Sequence, residues 1–227
     1  MSRRVLAVAV ALPGAAVVDA DAAEPAVAPE PGDATVGVVL GASGARLVPL
    51  PVGERNYILA YVGFHNHWAP AIGIGFQSKA NGAWSFAPEI WYTQFGSAFG
   101  SSHIAFDTIA VPFLFRRHAE RHRPVAPFVE LGPEVSFAIQ TRVFSTLLPY
   151  SYAYIATYGY GVKELLLRGD VGLRAGAGVS FPLANARGSI GVRVYRGIVP
   201  KILVDDVPPL FNQQISVVGG IAFGRAR

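Results

Sequence analysis

The sequence predicts an all-β fold, an eight-stranded antiparallel up-and-down transmembrane β-barrel, and three observations carry this prediction. Residues 127–143, PFVELGPEVSFAIQTRV, alternate between polar and apolar side chains, as in a strand with two unlike faces. Apolar residues make up 52% of the chain, yet beyond the N-terminus no run of 18 apolar residues is long enough for a membrane helix. The connections between predicted strands alternate between short and long, which is typical of outer-membrane barrels.

The N-terminal residues predict export. Arg3 and Arg4 precede an apolar run from 5 to 18, and Ala20-Asp21-Ala22 has the form of a cleavage site. The run is short and contains Pro13, which disfavours the alternative of an anchor helix. The predicted divisions are a signal peptide (1–22), a disordered leader rich in Ala, Pro and Glu (23–33) and the outer-membrane barrel (34–224).

Eight segments have the residue pattern of strands. They are 34–48, 68–77, 83–96, 104–116, 126–142, 165–181, 188–199 and 213–223. The connections predicted at one rim are 78–82, 117–124 and 182–187, and those at the other are 49–67, 97–103, 143–164 and 200–212. An even strand number brings both termini to the same side, so we expect periplasmic termini in the outer membrane of a Gram-negative bacterium.

Four strands show the alternation most clearly, and each places small or charged residues on one face and bulky apolar residues on the other. In the third strand Trp84 and Phe86 oppose Ser85 and Ala87, and the fifth, sixth and seventh strands repeat the pattern. A narrow barrel needs small residues inside, and its outer wall can carry the bulk. A soluble β-sandwich or a lipocalin-like barrel also alternates and is the alternative.

The polar faces of these strands carry as many acids as arginines. The predicted interior charges are Glu89, Glu130, Glu134, Arg142, Arg168, Asp170, Arg174 and Arg193. Buried charges must pair, and an eight-stranded barrel is only wide enough for side chains to fill it. We therefore expect a plugged, salt-bridged interior; a gated ion path or a proton relay is the alternative.

Aromatic residues are expected to form two rings around the barrel. The ring at the short-turn rim is predicted to hold Phe76, Trp84, Phe86, Phe115, Phe181 and Phe223, and the ring at the other rim Tyr92, Phe95, Phe106 and Phe144. In a soluble sandwich the same residues would fill the core instead.

The long connection 143–164 is the best candidate for a binding surface. Its tyrosines are Tyr150, Tyr152, Tyr154, Tyr158 and Tyr160. Tyrosine supplies contact area with little loss of side-chain entropy and is common at recognition surfaces. An ordinary aromatic rim at the level of the lipid headgroups is the alternative.

Several other residues are of types that can take part in catalysis or bind a metal, but we expect none of them to do so here. The pair Glu130 and Glu134 has a spacing that could serve glycosidic chemistry, but a barrel interior admits no polysaccharide. The histidines are His65, His67 and His103 in outer loops and His118 and His122, beside Glu120, in a short turn; we expect no metal at either place. Ser101-Ser102-His103 is similar to the serine and histidine of membrane lipid deacylases but lacks an evident orienting carboxylate. We expect no enzymatic activity and no cofactor.

Several segments resemble the PorT-like outer-membrane β-barrel family. They are DTIAVPFLF (107–115), PFVELGP (127–133), GLRAGAGV (172–179), APEIWY (87–92) and IGVRVYRG (190–197). The resemblance implies an eight-stranded barrel of the OmpA and OmpX type, and one branch of the family is linked to secretion. A departure is the tail after Phe223, GRAR, since such barrels often end in an aromatic residue.

We therefore expect a non-enzymatic barrel without an open pore and with a structural or loop-mediated binding or adhesion role. A lipid-modifying enzyme and a secretion-accessory barrel are the alternatives. The expected partners are outer-membrane lipid and lipopolysaccharide, with a possible extracellular or envelope protein. Nucleic acid is not expected, because the arginines are scattered along strands rather than clustered with stacking aromatics.

Overall fold

The computed structural model describes residues 33–49, 66–81, 84–99, 102–119, 125–144, 169–200, 202–204 and 207–224. These residues form β1 (Thr35–Pro49), β2 (His67–Gln77), β3 (Trp84–Phe99), β4 (Ser102–His118), β5 (Ala126–Phe144), β6 (Gly169–Leu183), β7 (Ala186–Gly197), β8 (Ile202–Val204) and β9 (Val207–Gly224). The described ranges contain no helix long and apolar enough to span a membrane. The signal peptide and leader predicted for residues 1–33 lie outside these ranges, apart from Asp33.

Eight antiparallel strands close into a barrel, which confirms the predicted fold class. Strands β1 to β7 pair in chain order, β7 pairs with β9, and β9 returns to pair with β1. The closing ladder runs from Thr35 opposite Gly224 to Pro49 opposite Leu210. We call the end that holds Thr35 and Gly224 the terminal rim, and the opposite end the loop rim. The three-residue β8 pairs with the beginning of β9, beyond the loop-rim end of the β7–β9 ladder.

Three connections differ from the prediction because strand pairing extends further than the residue types indicate. The β6–β7 ladder continues to Leu183 opposite Ala186, so the turn has two residues rather than six. The β3–β4 ladder continues to Phe99 opposite Ser102. Strand β9 begins at Val207 rather than at 213. Prolines at 208 and 209 lack an N–H group and are typical of a loop, but β8 and the end of β1 pair with this segment.

The two faces of the barrel wall are as predicted. On β5 the side chain of Val129 is 52% exposed and that of Leu131 56%, whereas Glu130, Glu134 and Ser136 are buried. The same alternation holds along β3, β6 and β7. The outward residues are apolar and the inward residues are small or polar, which is the arrangement of a barrel wall that faces lipid.

The aromatic rings are confirmed at one rim and partly wrong at the other. Around the terminal rim five of the six predicted aromatic residues are exposed on the outward face, and Phe181 is half-buried; the exposed ones are Phe76, Trp84, Phe86, Phe115 and Phe223. Of the residues predicted at the loop rim, Tyr92 points outward from the middle of β3, Phe95 and Phe106 are fully buried, and the side chain of Phe144 lies outside the described residues. They lie opposite each other in the β3–β4 ladder, and the Phe95 ring packs against Tyr195 with centroids 5.4 Å apart. The distance of a residue from the end of its strand does not determine whether its side chain points inward or outward. Thr93 points inward, and the alternation of side chains along β3 places Phe95, two residues later, on the same inward face.

Candidate functional site

Four charged side chains meet inside the barrel in what we call the four-charge cluster, Glu89, Arg116, Glu130 and Arg193. They come from β3, β4, β5 and β7. Arg116 lies opposite Glu130 in the β4–β5 ladder, and Glu130 and Arg193 lie on either side of Gly176 of β6. Alternation turns each of them inward, and closure of the barrel brings together strands that are not neighbours.

Each acid of the four-charge cluster contacts both arginines. Arg193 donates to Glu89 from Nη1 (2.6 Å) and Nη2 (2.9 Å), and to Glu130 from Nε (2.5 Å). Arg116 donates to Glu130 from Nη2 (2.8 Å) and Nε (3.0 Å), and its Nη2 is 3.7 Å from Glu89 Oε1. The indole Nε1 of Trp91 donates to Glu89 at 2.5 Å. Two acids therefore face two arginines, and charge-assisted hydrogen bonds offset the loss of water around them.

Glycine makes room for this cluster. A Cβ on Gly176 would lie 2.9 Å from both Arg193 Cγ and Glu130 Oε1, and a Cβ on Gly75 would lie 3.1 Å from Glu89 Cγ. Any larger residue at 176 would push the two charged side chains apart. The small inward residues noted in the sequence thus serve the packing of large charged ones.

A second polar cluster lies nearer the loop rim around Arg174 of β6. Arg174 forms a two-point contact with Glu134 through Nε and through Nη2, the latter at 2.9 Å, and Nη2 also donates to Gln214 Oε1 at 2.8 Å. Gln214 in turn donates to Thr93 Oγ1 at 3.3 Å. The guanidinium lies 5.5 Å from the centre of the Tyr195 ring. This cluster joins β3, β5, β6 and β9 across the interior.

Asp170 lies at the loop-rim end of the interior. It is buried, and Asn212 Nδ2 donates to its Oδ2 at 2.6 Å. Asn212, which was predicted to lie in a loop, is an inward residue of β9.

The structure places six of the eight predicted interior charges inside the barrel. They are Glu89, Glu130, Glu134, Asp170, Arg174 and Arg193. The side chain of Arg142 and all of Arg168 lie outside the described ranges. Sequence reasoning missed Arg116. The signal was present, because the outward Phe113 and Phe115 set the alternation of β4 and turn Arg116 inward.

The histidine predictions have mixed outcomes. His118 was assigned to a short turn but is the last residue of β4, where it is buried with its ring 5.8 Å from that of Phe128. At the loop rim His67 Nε2 is 3.3 Å from Gln94 Oε1, and Gln94 Nε2 donates to Asp107 Oδ1 at 2.7 Å. Within the described ranges no three His, Cys, Asp or Glu side chains are grouped to hold a metal.

Other predicted positions lie where the structure describes no side chain. These positions are His65, Ser101, Ser102, His103, Glu120, His122 and all five tyrosines from Tyr150 to Tyr160. The binding surface and the serine–histidine comparison therefore stay predictions.

The interior holds a cavity near the terminal rim. Its volume is about 50 Å³, and its lining includes Gln77, Glu89, Arg116, Phe128 and Arg193. A cavity of this size has room for a few water molecules. Three members of the four-charge cluster form part of its wall, and Arg116 is the member most open to water.

Two solved structures show the same fold. Neisserial surface protein A (NspA) is 16% identical, with a TM-score of 0.50, and the match covers 84% of this chain and 99% of that one. The outer membrane protein OprG from Pseudomonas aeruginosa is 11% identical, with a TM-score of 0.50, over 87% of this chain and 98% of that one. At these identities the likeness shows the fold alone. No curated protein matches the sequence.

A family model covers most of the chain. The model described as the outer membrane protein beta-barrel domain matches residues 26–200, which extend from before β1 to beyond β7. The closed eight-stranded barrel, its apolar outer wall and its aromatic ring agree with this match. The chain therefore belongs to the outer membrane protein beta-barrel domain family.

Proposed function

We propose that this outer-membrane barrel is a non-enzymatic protein without an open pore, which binds an extracellular or envelope partner through its loop-rim connections and acts in adhesion or partner capture. In this proposal the terminal rim faces the periplasm and the loop rim faces outward. The observation that carries it is the pair of polar clusters across the interior, because they join opposite walls of the barrel.

Polar contacts across the interior support a closed barrel. Arg193 of β7 reaches Glu89 of β3 across the barrel, and Arg174 of β6 reaches Gln214 of β9. A continuous ion path could open only if contacts between these buried charges were broken. Breaking a buried ion pair strongly destabilises a protein. An eight-stranded barrel also has an interior that side chains fill.

Conductance tests the closed interior. Purified barrel in planar lipid bilayers is expected to show no stable single-channel steps, whereas a large porin under the same conditions gives steps. Regular conductance that changes on replacing Glu89 with glutamine would contradict the proposal and favour an ion path.

The binding role rests on the connection between β5 and β6. Residues 145–168 contain Tyr150, Tyr152, Tyr154, Tyr158 and Tyr160 and join two strands at the loop rim. Turns at the terminal rim are short, as at Ala184-Asn185, so the barrel carries its long connections at one end. Aromatic side chains on such a connection need a partner or a headgroup layer to cover them.

The test replaces Tyr152, Tyr154 and Tyr158 with serine. Adhesion of intact cells to surfaces coated with extracellular-matrix protein is expected to fall, while the barrel folds and inserts as before. Tyr92→Ser is the matched control, because Tyr92 is an outward tyrosine on the barrel wall. Adhesion that is unchanged in the triple variant, at a normal inserted level, would show that this connection is only an aromatic rim.

The enzyme alternative has weaker support in the described residues. In the polar chain at the loop rim, the amide of Gln94 lies between the imidazole of His67 and the carboxylate of Asp107. In a serine hydrolase the carboxylate contacts the imidazole directly. Loss of acyl chains from radiolabelled lipopolysaccharide would favour this alternative. The PorT-like resemblance supports the secretion alternative, and a secretion defect without loss of adhesion in a deletion strain would favour that role.

A further inference from the structure

Two arginines and a glutamine lie side by side on the outward face at the loop rim. Arg46 of β1 is opposite Gln213 of β9, and Gln213 is opposite Arg196 of β7. All three share the outward alternation of their strands. The outward positions that continue toward the terminal rim include Leu40, Val38, Ile215, Val217, Val194 and Val192.

The three side chains are held in place but keep donors available. Arg46 donates to Gln213 Oε1 from Nε (3.1 Å) and Nη2 (3.0 Å). The guanidinium of Arg196 lies 5.7 Å from the centre of the Phe211 ring. Arginine has five N–H donors, and hydrogen bonds within the described residues take up two of those of Arg46. Arg46 is exposed and Arg196 half-buried, so both can reach a ligand at the surface.

The position of this group along the barrel axis is at the edge of the membrane. Ten residues separate Gln213 from Phe223 of the terminal-rim aromatic ring on the same face of β9. At about 3.3 Å per residue and a tilt of about 40°, this is a height of about 25 Å, the height of the apolar band of such barrels. Trp68 is outward, and its ring packs close to Gly44, two residues from Arg46. Tryptophan is enriched at the headgroup level.

We propose that Arg46, Gln213 and Arg196 bind the phosphate group of a phosphorylated lipid of the lipid A type, whose acyl chains lie along the apolar wall between β1, β9 and β7. Guanidinium groups bind phosphate with two parallel hydrogen bonds, and two of them flank Gln213. The site passes directly into an apolar wall, which matches an amphiphile with a phosphate at one end. The choice of an outer-leaflet lipid rests on the orientation in the proposed function.

The test measures lipid binding by the folded protein in detergent. The probes are diphosphoryl lipid A, fully dephosphorylated lipid A and inorganic pyrophosphate, with complexes counted by native mass spectrometry. Wild-type protein is expected to bind diphosphoryl lipid A at least tenfold more tightly than the dephosphorylated form, and Arg46→Gln with Arg196→Gln is expected to abolish this preference. Arg117→Gln is the matched control, since Arg117 is an outward arginine beside Trp84 at the terminal rim.

Three results would overturn the proposal. They are an unchanged preference in the double variant, an equal loss in Arg117→Gln, and pyrophosphate binding as tight as that of diphosphoryl lipid A. The last result would assign a site for soluble anions instead. Gel mobility of unheated samples checks that each variant is folded. The lipid preference does not depend on adhesion, so it distinguishes failure of this site from failure of the tyrosine-rich connection.

Discussion

Replacing Arg193 with methionine is expected to destabilise the barrel strongly. Arg193 donates two hydrogen bonds to Glu89 and one to Glu130, and all three side chains are buried. After the substitution Arg116 still holds Glu130 at 2.8 Å but lies 3.7 Å from Glu89. Glu89 would then be a buried acid that keeps only the 3.7 Å contact with Arg116 and the hydrogen bond from Trp91, and breaking a buried pair in this way costs about 3–5 kcal/mol.

The assay is unfolding by urea in phospholipid vesicles, followed by gel mobility of unheated samples. Arg117→Met is the control, because Arg117 is exposed on the outward face, and its free energy of unfolding is expected to change by less than about 1 kcal/mol. Adding Glu89→Gln to Arg193→Met removes the charge that has lost its nearer arginine and is expected to restore part of the loss. The reasoning is refuted if the double variant is no more stable than Arg193→Met, or if the control loses as much.

Two further predictions test the packing and the lipid face. Gly176→Ala is expected to destabilise the barrel, because the new Cβ would lie 2.9 Å from Arg193 Cγ. Gly169→Ala is the control, since a Cβ at that position meets no atom within 4 Å. Equal unfolding midpoints for the two variants would contradict the role of Gly176. Val135→Arg, at the centre of the outward face of β5, is expected to cost about 2–4 kcal/mol of unfolding free energy in bilayers, against about 0–1 kcal/mol for Val36→Arg near the terminal rim. Similar values at the two positions would exclude a lipid-facing wall with a depth-dependent environment.

The wall of the barrel was predictable because strand alternation is a local property. Each face of β5 can be assigned from neighbouring residues, as Val129 and Glu130 show. The errors arose where local signals conflict with pairing. The prolines before Leu210 indicate a loop, but β8 and β1 supply partners for that segment. Phe95 was placed by its distance along the strand instead of by its alternation.

The site was predictable in composition and not in its contacts. The alternation of side chains along β3 predicts that Glu89 points into the interior. Because a buried carboxylate must be paired, the alternation also predicts that a cation lies nearby. The partner of Glu89 is Arg193, 104 residues later in the chain and four strands away in either direction around the eight-stranded barrel. Such a pairing depends on the registers of every strand between them, and a single sequence does not determine those registers.

The contacts inside the barrel and those outside it serve separate purposes. The polar clusters join β3 to β7 and β6 to β9, so among the described residues the closed wall is held together by side chains of the strands themselves. Loop-rim residues are therefore able to change without loss of the fold, which is the property that a recognition surface needs. The outward arginines Arg46 and Arg196 make their contacts on the lipid side of the same wall. Substitutions inside should change stability first, and substitutions in the β5–β6 connection or at these arginines should change binding while leaving stability nearly unchanged.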